Sequence, residues 1–309
     1  MPAPLLSSEI IRCPLCGGAV APDDRFCEFD GTPLVDDPAF EVLGDTPDLA
    51  AATHRGRAHQ VDQDACAVGR RQPNGLPLHA LVVCDGVSSS SHGERASGRA
   101  AKAALDVLLS AADTPGPLDP KGALRQAVRA AHRAACAPDI DPEPGKTPPG
   151  TTLVAALAHR GMVDVAWVGD SRAYVVRPTP CGAGQAPANL LTHDHSWLNE
   201  VVDSGELTEA DAIRSPSAHA LTHCIGPLEN PDPEQPAEPS LASATDLAGS
   251  RLVLCTDGLW NVVASPAEIA AMASAPPATV EARALAIHLV RRAFASGGLD
   301  DVTAAVAFL

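Results

Sequence analysis

Two short runs limit what this chain can fold into: Leu81-Val82-Val83-Cys84-Asp85-Gly86 and Leu252-Val253-Leu254-Cys255-Thr256-Asp257-Gly258. Each reads as an apolar strand that stops at a carboxylate followed by glycine. Asp-Gly is also a common turn dipeptide, so either copy alone is equally well a simple turn. An ionised Asp at the end of a buried strand is costly unless a cation meets it. Two such ends in one chain favour a metal site.

The rest of the chain supplies more acids at strand ends. Asp64 precedes the short strand Ala65 to Val68, Asp170 sits in the break Gly169-Asp170-Ser171, and Asp300-Asp301 precede the alternating strand Val302, Ala304, Val306, Phe308. An oxygen-only donor set selects hard cations such as Mg²⁺ or Mn²⁺ over Zn²⁺. So many carboxylates imply more than one ion, and a pair of ions suits phosphoryl chemistry. A Gly-x-x-x-x-Gly-Lys loop is missing, and Gly169-Asp170-Ser171 lacks the Gly-x-Ser-x-Gly pattern of a nucleophile elbow.

Bulk composition agrees. With 45% hydrophobic and 19% charged residues, a chain of 309 residues is globular. It carries 22 Lys+Arg against 38 Asp+Glu, a formal charge of −16, which repels nucleic acid and anionic membranes. Nine cysteines in a chain this long make no disulfide framework, and Cys66, Cys84 and Cys255 lie in apolar runs as buried thiols. Without a membrane-length apolar stretch or a signal-peptide start, the expected location is the cytoplasm.

Residues 1–40 read as a separate module. Cys13-x-x-Cys16-Gly-Gly is a metal knuckle, and Cys27-x-x-Asp30-Gly31 repeats its shape with a carboxylate in place of the fourth thiolate. It resembles a zinc ribbon, with Cys13, Cys16, Cys27 and Asp30 as Zn²⁺ ligands. Residues 35–50, without apolar periodicity, read as a linker, and the main domain is assigned to 41–309. There, helices are expected from about Glu94 to Ala112, from Asp119-Pro120 onward, over Ser196 to Ser204, from the capping box Thr208-x-x-Asp211, from Ser265-Pro266, and over Thr279 to Ser296. Residues 151–176 read as a meander of antiparallel strands. Two strand groups with helix pairs between them predict an α+β fold, two sheets face to face and covered by helices.

The ordered motifs Gly56…Asp62-Gln63-Asp64, Asp85-Gly86, Gly150-Thr151-Thr152, Gly169-Asp170-Ser171-Arg172, Leu191-Thr192-x-Asp194-His195-Ser196, Thr256-Asp257-Gly258 and Asp300-Asp301-Val302-Thr303 resemble the metal-dependent serine/threonine protein phosphatases of type 2C. That resemblance covers about residues 50–309 and implies an αββα sandwich of two antiparallel sheets flanked by helix pairs. It implies that Asp85 bridges two Mn²⁺ or Mg²⁺ ions and that the Gly86 carbonyl binds the second. Asp257 and Asp300 complete the first ion, Asp170 with Asp257 holds a looser third, and Asp64 orders water. Asp85, Asp257 and Asp300 are thereby the catalytic carboxylates, activating a water for in-line attack on phosphoserine or phosphothreonine. Residues 194–227 would form a flap beside the cleft. The partners implied are phosphoproteins, among them Ser/Thr kinases and their targets, acted on by a monomer.

Three positions depart from the family pattern. Gln63 stands where a carboxylate is usual, which should weaken the second site or shift it toward Mn²⁺. His59 stands where an arginine usually clamps substrate phosphate, giving a weaker and pH-dependent substrate-binding group. The loop after Asp85-Gly86 is Ser-rich and carries His92, readable as a general acid or as a plain loop histidine. His193, His195 and His223 read as solvated or capping residues, and Asp301 as an acid behind the ligands. The alternative to an enzyme is a phosphoprotein-binding pseudophosphatase or a regulatory adaptor.

Overall fold

The structure, a computed structural model, describes residues 13, 18–21, 27, 39–114, 116–137, 145–177, 187–263, 265–274 and 281–309. Its first element is a hairpin, β1 (Phe40–Thr46) and β2 (Leu49–His54), paired from Phe40↔His54 to Thr46↔Leu49. This corrects the expectation of a linker over 35–50 for residues 40–50, while 35–38 lie outside the described residues. Phe40 and Val42 alternate with Glu41, but the signal is short and ends at Gly44, whose φ of +88° marks an irregularity in the register.

β3 (Asp64–Arg71) runs farther than the four residues expected and pairs along its whole length with β4 (Leu78–Asp85). α1 (Gly93–Asp113) and α2 (Pro120–Ala135) follow. The Asp119 side chain accepts the Gly122 N–H at 3.0 Å and caps α2, while Pro120 enters its first turn at a position that needs no donor. Ala96, Ala100, Ala104 and Leu108 recur at helical spacing and are buried, so α1 shows the sheet a narrow face of small side chains.

β5 (Leu153–His159) and β6 (Met162–Val168) are successive antiparallel strands, and β7 (Arg172–Val176) follows in sequence. Here the expected meander breaks: β6 belongs to one sheet and β7 to the other. Gly169, at φ +102°, lets the chain cross between them, and a Cβ there would lie 2.7 Å from Thr152 Cγ2. β8 (Ala188–Leu190), α3 (Trp197–Asp203), α4 (Glu209–Ala212), β9 (Ser240–Ala244) and β10 (Arg251–Cys255) come next. α5 (Asp257–Trp260), α6 (Pro266–Ser274), α7 (Ala282–Ala295) and β11 (Val302–Phe308) complete the chain.

One sheet has the order β1-β2-β11-β10-β7-β8 and the other β3-β4-β5-β6-β9, with every named pairing antiparallel. Leu81, Val83, Val154 and Val165 of the second sheet meet Leu49, Val175, Leu252 and Leu254 of the first in the central core. The alternate residues face outward. Leu78, Val82, Leu153 and Leu157 pack on α1 and α2, and Tyr174, Val253 and Val306 share a core with Leu285 and Leu289 of α7. Three apolar layers between four structural layers give the expected αββα sandwich. Both Asp-Gly strands, β4 and β10, therefore run through the centre of a sheet, and their acids emerge at its rim.

Candidate active site

Asp64 and Asp85 are register partners at one end of the β3–β4 pair. Asp85 is fixed through its backbone: its N–H donates to Thr152 Oγ1 at 3.0 Å, and its carbonyl accepts from Thr152 N–H at 2.8 Å and Thr151 Oγ1 at 2.9 Å. Asp257 opens α5 directly after β10, Asp300 stands before β11 on the neighbouring strand, and Asp170 lies in the crossing from β6 to β7. Two sheets and three loops thus deliver these acids to one rim of the sandwich.

The electrostatics show which acids face one another. Burial, then the charges of Asp64, Asp257, Asp170 and Asp300, push the Asp85 carboxyl well up from its ordinary range. Asp170 is pushed to about 8 by burial, then by Asp257 and Asp194. Asp257 rises to about 6 through burial and Asp300, opposed by a hydrogen bond with Asp85. Asp64 rises strongly by burial and by Asp62 and Asp301. Carboxylates crowded in this way repel one another unless a cation is shared, and an all-oxygen set fits a hard divalent ion. Arg172, next to Asp170, is already committed to Asp194, with Nη2 to Oδ2 at 2.6 Å and Nε to Oδ1 at 3.0 Å. The donor chemistry therefore fits Mn²⁺ or Mg²⁺.

Close backbone approach explains why residue 86 is glycine. Its N–H donates to the Gln63 carbonyl at 3.0 Å, and a Cβ would stand 2.6 Å from that oxygen and 2.7 Å from the Gly93 carbonyl. Backbone closure around the loop, and not only access to an ion, demands glycine here.

The other sequence candidates separate clearly. His59 Nδ1 lies 2.8 Å from Asp301 Oδ2 and 3.6 Å from Asp300 Oδ1, so the ring is held beside the site by two acids. Asp301 is an organiser: its carboxylate also accepts N–H donors from Gly56 and Gln63, each at 2.7 Å. His92 precedes α1 at φ +56°, with Nδ1 3.5 Å from Glu94. His193 is exposed on Asp203, and His223 meets Glu229, in keeping with solvated roles. His195 differs from that reading, being half-buried and bonded through both ring nitrogens. In the amino-terminal module Cys13 and Cys27 are buried together with Val20, while Cys16 and Asp30 lie outside the described residues.

Sequence reasoning missed the supports behind the acids. Thr256 Oγ1 donates to Asp64 at 2.8 Å and accepts the Thr303 N–H, tying β10 and β11 to β3. Trp260 Nε1 donates to the Asp170 carbonyl at 3.0 Å, and its ring lies 3.6 Å under the Arg172 guanidinium. The motifs Gly169-Asp170-Ser171-Arg172 and Thr192-x-Asp194-His195 were both visible, but nothing in sequence says that they bond to each other.

The structure thus joins a cluster of strand-end carboxylates, whose donor chemistry fits a divalent cation, to a four-layer sandwich. Residues 52–290 match the family described as protein phosphatase 2C, and the chain belongs to that family. The serine/threonine protein phosphatase PstP of Mycobacterium tuberculosis is 30% identical over 260 residues, 84% of this chain and 44% of that protein. This chain thus spans less than half the length of that relative. The crystal structure of the PPM Ser-Thr phosphatase MsPP from Mycobacterium smegmatis, in complex with cacodylate, is 30% identical with a TM-score of 0.61, covering 84% of this chain and 97% of that one. The catalytic domain of PstP in complex with two manganese ions is 26% identical with a TM-score of 0.61, covering 87% and 97%. Among the described residues no helix is long and apolar enough to cross a membrane.

Proposed function

We propose that this chain is a protein phosphatase that removes phosphate from phosphoserine and phosphothreonine, with Mn²⁺ or Mg²⁺ held by Asp85, the Gly86 carbonyl, Asp170, Asp257 and Asp300, and with Asp64 behind them. The observation that carries this reading is the convergence of Asp64, Asp170, Asp257 and Asp300 on Asp85. When bound, such ions supply charge neutralisation for the phosphoryl group and an acidified water. The chain's own residues position that chemistry: Thr151 and Thr152 hold Asp85, Thr256 holds Asp64, and His59, held on Asp301, is the group proposed to bind the substrate phosphate. The substrates we propose are phosphoproteins such as Ser/Thr kinases and their targets, and the setting is the cytoplasm with the chain as a monomer. Support for that setting is chemical: none of the seven described cysteines is in a disulfide.

The same reading places Zn²⁺ at Cys13, Cys16, Cys27 and Asp30. Its support is the hydrogen bond from the Cys13 N–H to the Gly18 carbonyl at 2.8 Å and the shared burial of Cys13 and Cys27. Metal analysis of the intact chain, with zinc counted apart from manganese, tests this: zinc absent from protein purified without chelator removes the assignment.

Enzymatic function is tested with Mn²⁺, p-nitrophenyl phosphate and a phosphothreonine peptide. Phosphate release is expected, with Asp257→Asn inactive because that carboxylate faces both Asp85 and Asp300. Asp257→Asn turning over at the wild-type rate would refute the assignment. One observation favours the pseudophosphatase alternative: Gln63 replaces an acid, and its Oε1 is buried without a hydrogen-bond partner among the described residues. Mn²⁺ binding by calorimetry with no turnover of either substrate would select it.

A further inference from the structure

Asp170 is carried by a loop with little regular structure of its own, and what aims it is visible in its neighbours. Ser171 Oγ shares a 2.7 Å hydrogen bond with Thr152 Oγ1, and the Asp170 carbonyl is held by Trp260. Gly169, just before Asp170, is held by a single residue through both of its backbone groups. His195 N–H donates to the Gly169 carbonyl at 3.0 Å, and the Gly169 N–H donates to His195 Nδ1 at 3.1 Å. Accepting that N–H requires a lone pair on Nδ1, so the ring proton belongs on Nε2, which lies 3.0 Å from Ser240 Oγ of β9. The ring stacks on Trp167, with centroids 6.2 Å apart and an interplanar angle of 22°. Trp167 and Ser240 therefore hold the ring of His195 in place, and the Gly169 N–H it accepts sets its tautomer.

We propose that His195 is a positioning residue: by clamping Gly169 it aims Asp170 at Asp257, and it thereby couples the base of the flap to the ion those two carboxylates would share. The proposal rests on the metal reading above, and extends it from the ligands to the residue that orients one of them. Its chemistry is specific to an acceptor at the Nδ1 position. Asn places its amide oxygen near that atom, whereas Gln places its amide near Nε2. A packing role would not distinguish the two.

The test is Mn²⁺ calorimetry on the full chain, comparing wild type with Asp170→Asn, His195→Asn and His195→Gln, with melting curves in EDTA alongside. The binding event lost in Asp170→Asn identifies the ion in question. His195→Asn is expected to bind that ion as the wild type does, and His195→Gln about tenfold more weakly, the worth of one buried hydrogen bond. Wild-type affinity in His195→Gln, or equal losses in both variants, would overturn the proposal. Ring-nitrogen NMR of the histidine-labelled wild type gives a second readout that needs no variant: the Nε2–H tautomer at His195 is expected, and the Nδ1–H tautomer refutes the clamp. If the wild type takes up no Mn²⁺, the metal reading itself fails, and the proposal with it. Uptake without a difference between Asn and Gln leaves the metal reading standing and removes only His195.

Discussion

At the scale of single residues, the acids were legible and their supports were not. A carboxylate ending an apolar strand is a local signal, because burial and charge conflict within five or six residues of sequence. The work of Asp301 is non-local: it joins N–H groups of Gly56 and Gln63, more than two hundred positions away. Two buried donors lose their acceptor if it goes. Asp301→Ala is therefore expected to lower unfolding stability by about 2–6 kcal/mol in urea titrations, about 1–3 for each stranded donor. Gly258 was likewise readable only as part of Asp-Gly. In the structure a Cβ at that position would lie 1.9 Å from the Asp301 carbonyl oxygen, backbone that cannot yield cheaply. Gly258→Ala is expected to cost at least about 1–3 kcal/mol, as overpacking does, and a urea midpoint equal to wild type would contradict that close approach.

At the scale of elements, the helices announced themselves through caps and periodicity, and the strands failed wherever the signal was short or the pairing distant. β1 reads as a linker in sequence because Phe40 and Val42 are its only alternating pair before Gly44. β7 reads as continuing a meander because sequence shows a break at Gly169 but not the direction taken after it. Residues 194–227 illustrate the same limit: α3 and α4 follow their caps, Ser196 and Thr208, yet the Arg172 pair that holds Asp194, just before α3, is not readable from either motif. Lysine cannot reproduce the paired N–H bonds or the stacking on Trp260. Arg172→Lys is expected to destabilise by about 1–3 kcal/mol, and to raise proteolytic cleavage within 194–227 over the rest of the chain. The β1–β2 turn has its own sensor. His79 of β4 is buried with Nε2 3.0 Å from Asp48, and burial lowers its pKa despite that partner. A ring that resists protonation when folded gives stability that is full above about pH 6.5 and declines as pH falls below it. His79→Gln should flatten that part of the pH profile of thermal unfolding.

At the scale of the whole molecule, the sandwich builds a site that opposes its own stability. Sequence conveyed this in outline: acids at the ends of buried strands are expensive, and −16 net charge offers them little relief. What it could not convey is the sign and range of the penalty, which depend on which acids face each other. Asp170 and Asp257 have folded values of about 8 and about 6, both above the ordinary 3.8. A carboxyl whose folded pKa is raised gives stability that is complete below its unfolded value and is lost as pH rises through the folded one. Without metal, then, the cleft becomes progressively more destabilising between about pH 4 and pH 8. Asp170→Asn removes one of these charges and should melt higher than the wild type in EDTA at about pH 8, with the gap closing toward about pH 5 as the wild-type carboxyl takes up its proton. Divalent cations should reverse the order. Mn²⁺ at about a hundred times its dissociation constant contributes about 2.7 kcal/mol to the folded state, a rise of about 5 °C in wild-type melting temperature, and Asp170→Asn should gain less. If EDTA and Mn²⁺ give the two proteins the same difference in melting temperature, the acids of this cleft do not share a cation, and their convergence needs another explanation.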